Sequence, residues 1–236
     1  MPDSPIARRI RAALEQAEDV DLHHNRIELQ VGEVIRLEGE VDNIAVKRRA
    51  RQIAQAIAGS TPVEDRLMLR VETRRGDDQL RQAVLEALMT EPAFRDYAVG
   101  ERADGPPDDG EERYGIAVEV SASRVRLHGR ANSPSHRRLA EVIAWWVPGT
   151  ADVENRIRVH PPRQDNDEEL SEIIRLVLDK DPTLDASAIQ VIARDQEITL
   201  KGVVGSDVKR KLAAYDCWYV PGVHRVHNQL QVRPPG

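Results

Sequence analysis

Val34-Ile-Arg-Leu-Glu-Gly39, Val125-Arg-Leu-His-Gly129 and Ile198-Thr-Leu-Lys-Gly202 are three versions of one phrase, in which apolar and polar residues alternate up to a glycine. Alternation with period two marks a strand buried on one face. A second glycine follows each phrase at one interval: Gly39 to Gly59, Gly129 to Gly149 and Gly202 to Gly222 are each 20 residues apart. Beyond it the register holds again. Val63, Asp65, Leu67 and Leu69 correspond to Val153, Asn155, Ile157 and Val159, and to Val226, Asn228, Leu230 and Val232. Ahead of each phrase stands a helical triplet at i, i+4 and i+8: Ile6/Ile10/Leu14, Leu80/Val84/Leu88 and Leu170/Ile174/Leu178. Self-similarity in register over this distance is the signature of a repeat architecture.

Each repeat reads as helix, strand, strand, helix, strand. Hairpins turn at Gly32-Glu33, Ser121-Ala-Ser123 and Arg194-Asp-Gln196, and the first glycine closes each hairpin. Asn43, Ser133 and Ser206 are placed to cap the second helix, and the second glycine to end it. The first helices open on Asp3-Ser4, Asp77-Asp78 and Asp167, where acidic or capping groups suit the positive end of the dipole. A strand, a crossover helix and a strand imply a right-handed parallel crossover. The expected fold class is α+β: three tandem αββαβ repeats over residues 1–73, 77–160 and 167–233, each a small three-stranded mixed sheet with two helices on one face. The second repeat carries an acidic Pro/Gly insert at 100–113, expected to be flexible. Asp65, Asn155 and Asn228 share strand parity with apolar neighbours, so their polar groups are expected to tie the backbone where the second helix meets the third strand.

Composition narrows the function classes. The chain has 236 residues, of which 40% are hydrophobic, 31% charged and 3% aromatic, with a single cysteine, so it holds no internal disulfide. A net charge of -6 argues against nucleic acid as a partner. No run approaches the ~20 apolar residues of a membrane helix. The start, Met1-Pro-Asp-Ser-Pro-Ile-Ala-Arg-Arg9, lacks the pattern of a signal peptide, which as written points to the cytoplasm, or to the periplasm if a leader has been removed.

The strand-glycine phrase, the step to Trp146-Val-Pro-Gly149 or Tyr219-Val-Pro-Gly222, and the closing Val153-Glu-Asn155 or Val226-His-Asn228 resemble the BON domain. The first repeat departs from that pattern, with Ala58-Gly-Ser60 in place of Pro-Gly and Asp65 in place of Asn. The resemblance implies a bacterial, non-enzymatic adaptor module, often in tandem and of the envelope-stress type. It also implies association with anionic phospholipid and attachment of other proteins to membranes, usually in the periplasm. It supplies no catalytic residues and no cofactor.

The residues themselves single out the second helices. Each begins with cations: Lys47, Arg48 and Arg49; Arg137 and Arg138; Lys209, Arg210 and Lys211. Cations in a first turn oppose the helix dipole, so an anionic surface is one reason for them. One flank of the helix is polar in the first repeat (Arg49, Gln52, Gln55). The same flank is apolar in the second (Leu139, Val142, Trp145, then Trp146) and in the third (Leu212, Tyr215, Trp218, then Tyr219). A helix apolar on two faces is covered on two faces. Two explanations follow: packing between repeats or between copies, or an exposed patch that enters a lipid headgroup layer or grips a protein. The candidate lipid- or partner-binding residues are therefore these eight cations with Trp145, Trp146, Trp218 and Tyr219. Anionic phospholipid is the leading partner, with a protein–protein scaffold or homo-oligomer as the alternative. Small-ligand or ion binding stays open. His224 and His227 point to opposite faces of a strand, Cys217 has no adjacent histidine, and no nucleophile–base pair, metal spacing or phosphate loop is present.

Overall fold

The first repeat runs α1 (Pro5–Gln16), β1 (Arg26–Val31), β2 (Ile35–Val41), α2 (Ile44–Ala58) and β3 (Val63–Leu69). The structure, a computed structural model, describes residues 4–17, 20–73, 75–101, 114–163 and 166–233. β2 is the central strand, antiparallel to β1 and parallel to β3. The second repeat consists of α3 (Asp77–Thr90), β4 (Ala98–Gly100), β5 (Gly115–Ser121), β6 (Arg124–Ala131), α4 (Pro134–Trp146), β7 (Asp152–Asn155) and β8 (Arg158–Val159). The third consists of α5 (Asp167–Lys180), β9 (Ile189–Arg194), β10 (Glu197–Val204), α6 (Asp207–Tyr219) and β11 (Arg225–Val232). β6 and β10 repeat the role of β2, each with one antiparallel and one parallel neighbour. The α+β reading, with three mixed sheets built from αββαβ repeats, therefore holds. The second sheet is wider: β4 adds a parallel edge to β5, and the third strand is split into β7 and β8, both on β6. Most of the predicted insert, residues 102–113, lies outside the described residues.

Two expectations about the glycines need correction. The strands do not stop at the first glycine but continue to Val41, Ala131 and Val204. Gly39, Gly129 and Gly202 take φ of 127°, 127° and 134°, deep in the region that favours glycine. A Cβ there would lie 1.9, 2.1 and 2.0 Å from the carbonyl oxygens of Arg26, Gly115 and Ala188 on the antiparallel partner. Only a residue without a side chain lets the two strands approach. At the second glycine, α2 ends as expected with Gly59 as its cap, but α4 and α6 stop three residues earlier, at Trp146 and Tyr219. Pro148 and Pro221 force Val147 and Val220 into the extended region, with ψ of 119° and 120°, so the helix cannot continue.

The polar ties are specific. Asn43, Ser133 and Ser206 cap the second helices, each accepting a backbone N–H three residues on. Asp77 and Asp167 reach across to the hairpins instead of capping their own helices. Each carboxylate accepts two backbone N–H groups of a two-residue turn whose residues, Ala122-Ser123 and Asp195-Gln196, all have positive φ. Asn155 donates its amide to the Arg137 carbonyl at 2.8 Å and Asn228 donates to that of Arg210 at 2.6 Å, pinning third strand to second helix.

In the first repeat Asp65 holds that position and has no donor to offer. Lys47, the register counterpart of Arg137 and Arg210, folds inward and donates to Asp65 Oδ1 at 2.9 Å and to the Leu67 carbonyl at 2.6 Å. Both side chains are buried, and Asp65 also accepts the Leu67 N–H. A lysine–aspartate pair thus does in one repeat what a single asparagine does in the others.

Packing divides the chain into two compact units, Met1–Arg70 and Val71–Gly236. In the first, Ile10 and Leu14 of α1 and Ala50 and Ala54 of α2 close over Leu29, Ile35, Leu37 and Leu67. In the second, one continuous core runs from Leu80 to Leu230, so the second and third repeats share their interior. α4 packs on α3, α5 and α6. Lys180 at the end of α5 pairs with Glu91, just after α3, at 2.8 Å.

The buried pair yields a test. Lys47→Ala should cost the first unit about 3 kcal/mol, because it strands a buried carboxylate. Lys47→Ala combined with Asp65→Asn should recover most of that loss, since the new amide can reach the carbonyl of residue 47. A chemical-denaturation double-mutant cycle reads both values, and additive losses would show that the two residues are not one unit.

Candidate functional site

The cations of the second helices have diverse fates. Lys47 is buried against Asp65, and Arg138 is buried with its Nε donating to the Pro221 carbonyl at 2.8 Å. The Arg138 guanidinium reaches across from the second repeat to the Pro-Gly turn of the third, and a Cβ on Gly222 would meet it at 3.1 Å. Neither cation faces outward. Arg48 and Arg49 are half-buried. Arg210 and Lys211 pair with Asp207 at 2.6 and 3.2 Å on their own helix, while Arg137 and Lys209 are exposed.

The aromatic stripe splits as sharply. Leu139, Val142 and Trp145 of α4 are 1%, 0% and 6% exposed, joined to the core that also contains Ile173 and Val177 of α5. Trp145 and Tyr219 bring the two stripes into contact, with ring centroids 6.5 Å apart. Trp146 and Trp218 are half-buried against the same core. Packing between repeats explains the α4 stripe. On α6 the matching positions are more open: Tyr215 is 41% exposed and Leu212 is half-buried.

A second cationic surface lies on the opposite side, where the sheet of the second repeat turns away from its helices. Val125, Leu127 and Ala131 of β6 face the core, which places Arg124, Arg126, His128 and Arg130 on the outer face. Arg156 and Arg158 extend the row along the third strand. Acidic neighbours offset part of it: Arg124 pairs with Asp152 at 2.7 Å, and Arg126 and Arg156 with Glu154 at 3.1 and 2.6 Å. The paired arginines hold Glu154 below the usual carboxylate range even though its burial opposes this. Arg130 and Arg158 have no acidic partner among the described residues. The outer face of the third sheet is similar, with Arg194, Lys201, Arg225 and His227 around Glu197. In the first repeat the same face carries Arg36 and Arg66 against Glu38 and Glu64. Sequence reasoning missed this surface, although the alternation that revealed the strands also carried its signal: every second residue from Arg124 to Arg130 is Arg or His.

Among the described residues no three His, Cys, Asp or Glu side chains converge as a metal site would require, and no helix is long and apolar enough to cross a membrane. His227 lies on the outer sheet face, 2.9 Å from Glu197, and His224 precedes that strand. Cys217 is buried, its Sγ donating to the Ala213 carbonyl, and burial pushes its thiol far above the ordinary range.

Asp216 interrupts the sheet-facing side of α6 and is buried beside Asp181 at the end of α5. Burial, reinforced by the Asp181 carboxyl, raises its pKa to about 7, and it in turn helps burial raise that of Tyr219. The folded state therefore holds a proton that the unfolded chain releases near pH 4. Stability from this group is full below the unfolded value of 3.8 and is lost as pH rises through about 7. Asp216→Asn should remove that dependence: its gain in melting temperature over the parent should be several degrees at pH 8 and near zero at pH 4. Calorimetry at both pH values reads it, and an equal shift at both would discount the titration.

The family model for the BON domain matches residues 2–71, 108–161 and 166–234. The second match begins beyond α3 and β4, where the insert separates the first helix from the hairpin. No curated protein matches the chain. Among solved structures, the C-terminal domain of CdsD, the structural protein of the type III secretion system of Chlamydia trachomatis, aligns with 99% of this chain and 100% of its own at 12% identity and a TM-score of 0.26. The PrgH periplasmic domain aligns with 90% of this chain and 97% of its own at 9% identity and a TM-score of 0.25. With a match on each of the three repeats, covering most of its length, this chain belongs to the BON domain family and carries three such domains in tandem.

Proposed function

We propose that this protein is a non-enzymatic binding adaptor that docks on anionic phospholipid surfaces through the outer sheet face of its second repeat. The observation that supports this most is the row Arg124, Arg126, Arg130, Arg156 and Arg158 on one sheet face, where the acidic neighbours among the described residues are Glu119, Asp152 and Glu154. Each cation near an anionic leaflet contributes about 1 kcal/mol, so the excess gives a weak, salt-sensitive attachment suited to a tandem protein. The helix cations are a poorer surface for this role, because Lys47 and Arg138 are committed to buried contacts. Arg137 and Lys209 remain exposed there.

A protein partner is the second reading, favoured by Tyr215 and Val208, which stand exposed on α6. An adaptor needs two faces, and the charged sheet side and the apolar helix side are different in kind.

Arg130→Glu with Arg158→Glu should weaken binding to phosphatidylglycerol-containing vesicles at low salt by at least about tenfold, leaving neutral vesicles and the melting temperature unchanged. Co-sedimentation reads it. Equal binding by the variant removes this face from the reading, and no binding by the parent removes the lipid.

A further inference from the structure

Along the outer face of the second sheet, the arginines of β6 meet different partners at its two ends. Near the hairpin, Arg124 stands opposite Asp152 and Arg126 opposite Glu154, and the pairs close as salt bridges at 2.7 and 3.1 Å. At the far end of β6, Arg130 stands opposite Arg158. Adjacent strands lie about 4.8 Å apart, so this register sets two guanidinium groups side by side. Like charges directly opposite one another destabilise a sheet. The salt bridges of this face belong to Arg124, Arg126, His128 and Arg156 instead. On its other flank Arg130 faces Gly115 of β5, with Ala98 of β4 beyond it, so the pair borders a strip with almost no side-chain bulk. The same row holds Glu40 and Met68 in the first repeat and Val203 and Gln231 in the third. The paired arginines are therefore a property of the second repeat and not of the shared fold.

We infer that Arg130 and Arg158 together form a site for a phosphate monoester. The inference deepens the lipid reading above and rests on it for the source of the phosphate, a monoester headgroup at the membrane surface. Each guanidinium is a rigid planar fork that offers two parallel N–H donors to an oxyanion. Two forks abreast present four donors and two positive charges. A phosphate monoester has three terminal oxygens and a charge of about −1.5 to −2 at neutral pH, so it accepts from both forks and cancels the repulsion that the register imposes. A phosphodiester, as in phosphatidylglycerol, has two terminal oxygens and one negative charge, which answer one fork. A single carboxylate does the same, as Asp152 does for Arg124. Arg158 is exposed and Arg130 half-buried, and the missing side chain at Gly115 leaves room beside them for a headgroup.

Co-sedimentation of the full chain at low salt compares vesicles containing phosphatidic acid, a monoester, with vesicles of phosphatidylglycerol matched in surface charge. The parent should bind the monoester at least about fivefold more tightly. Arg130→Lys with Arg158→Lys keeps both charges and removes both forks, so it should bind the two vesicles alike with the melting temperature of the parent. The same exchange in the first repeat, Arg36→Lys with Arg66→Lys, should keep the preference. Inorganic phosphate reads the site without a membrane: it should shift the side-chain NMR signals of Arg130 and Arg158 more than chloride of equal ionic strength does. Phosphate acting in this way on a chain with no preference between vesicles supports the site and assigns it to a soluble monoester. Phosphate acting on a chain that binds no vesicle removes the lipid reading and leaves the site. A parent that shows no vesicle preference, and whose arginines ignore phosphate, overturns the inference; where it still binds phosphatidylglycerol, the lipid reading stands. A preference that survives the lysine exchange at Arg130 and Arg158 overturns it as well.

Discussion

A carbonyl oxygen of the neighbouring strand occupies the space where a side chain would begin at Gly39, Gly129 and Gly202, and that close approach sets the rest of each repeat. It fixes where the antiparallel strand crosses the central one. The central strand then continues past the glycine for two more residues and carries the chain into a capped second helix. The helix returns the chain parallel to the same strand, and a side-chain tie between third strand and second helix closes the circuit, from asparagine to helix carbonyl in two repeats and from Lys47 to the strand in the first. Each link is short in sequence, which is why the unit can be copied three times without losing register.

The copies diverge where the helices meet their surroundings. α2 shows a polar flank, α4 is enclosed by the helices of two repeats, and α6 is enclosed along part of its length. Buried charge follows the same divergence. Lys47 stands in for a missing amide, Arg138 bolts one repeat to the turn of the next, and Asp216 sits beside another carboxyl. A buried charge is tolerated when a fixed partner replaces water. Asp216 is buried with a carboxyl beside it, so burial first and Asp181 second raise its pKa to about 7.

In the second and third repeats the helix side and the sheet side of the scaffold differ in chemistry. The helix side joins the second repeat to the third, and on α6 it leaves Val208 and Tyr215 exposed. The outer sheet face of the second repeat carries the arginines. Membership of the BON family accounts for the repeat and its glycines. The charge on the outer sheet face differs from repeat to repeat, mixed in the first and cationic in the second and third, so the surface chemistry belongs to this chain's own residues.

The sequence by itself determined the repeat, the order of elements, the capping residues and the inward role of Asp65, Asn155 and Asn228. Those features depend on neighbours a few residues away, and periodicity records them. Even there, the reach of the central strands past glycine and the early stops before Pro148 and Pro221 needed backbone angles that no spacing displays. Tertiary structure alone decided the fate of the charged and aromatic residues. Lys47 meets a partner 18 positions away and Arg138 one 83 positions away, and whether a cation faces lipid or carbonyl is settled by which distant group comes within 3 Å of it. The stripes of α4 and α6 are nearly the same in sequence. One is core and the other partly surface, because burial depends on what stands opposite, and a helix does not encode its own cover.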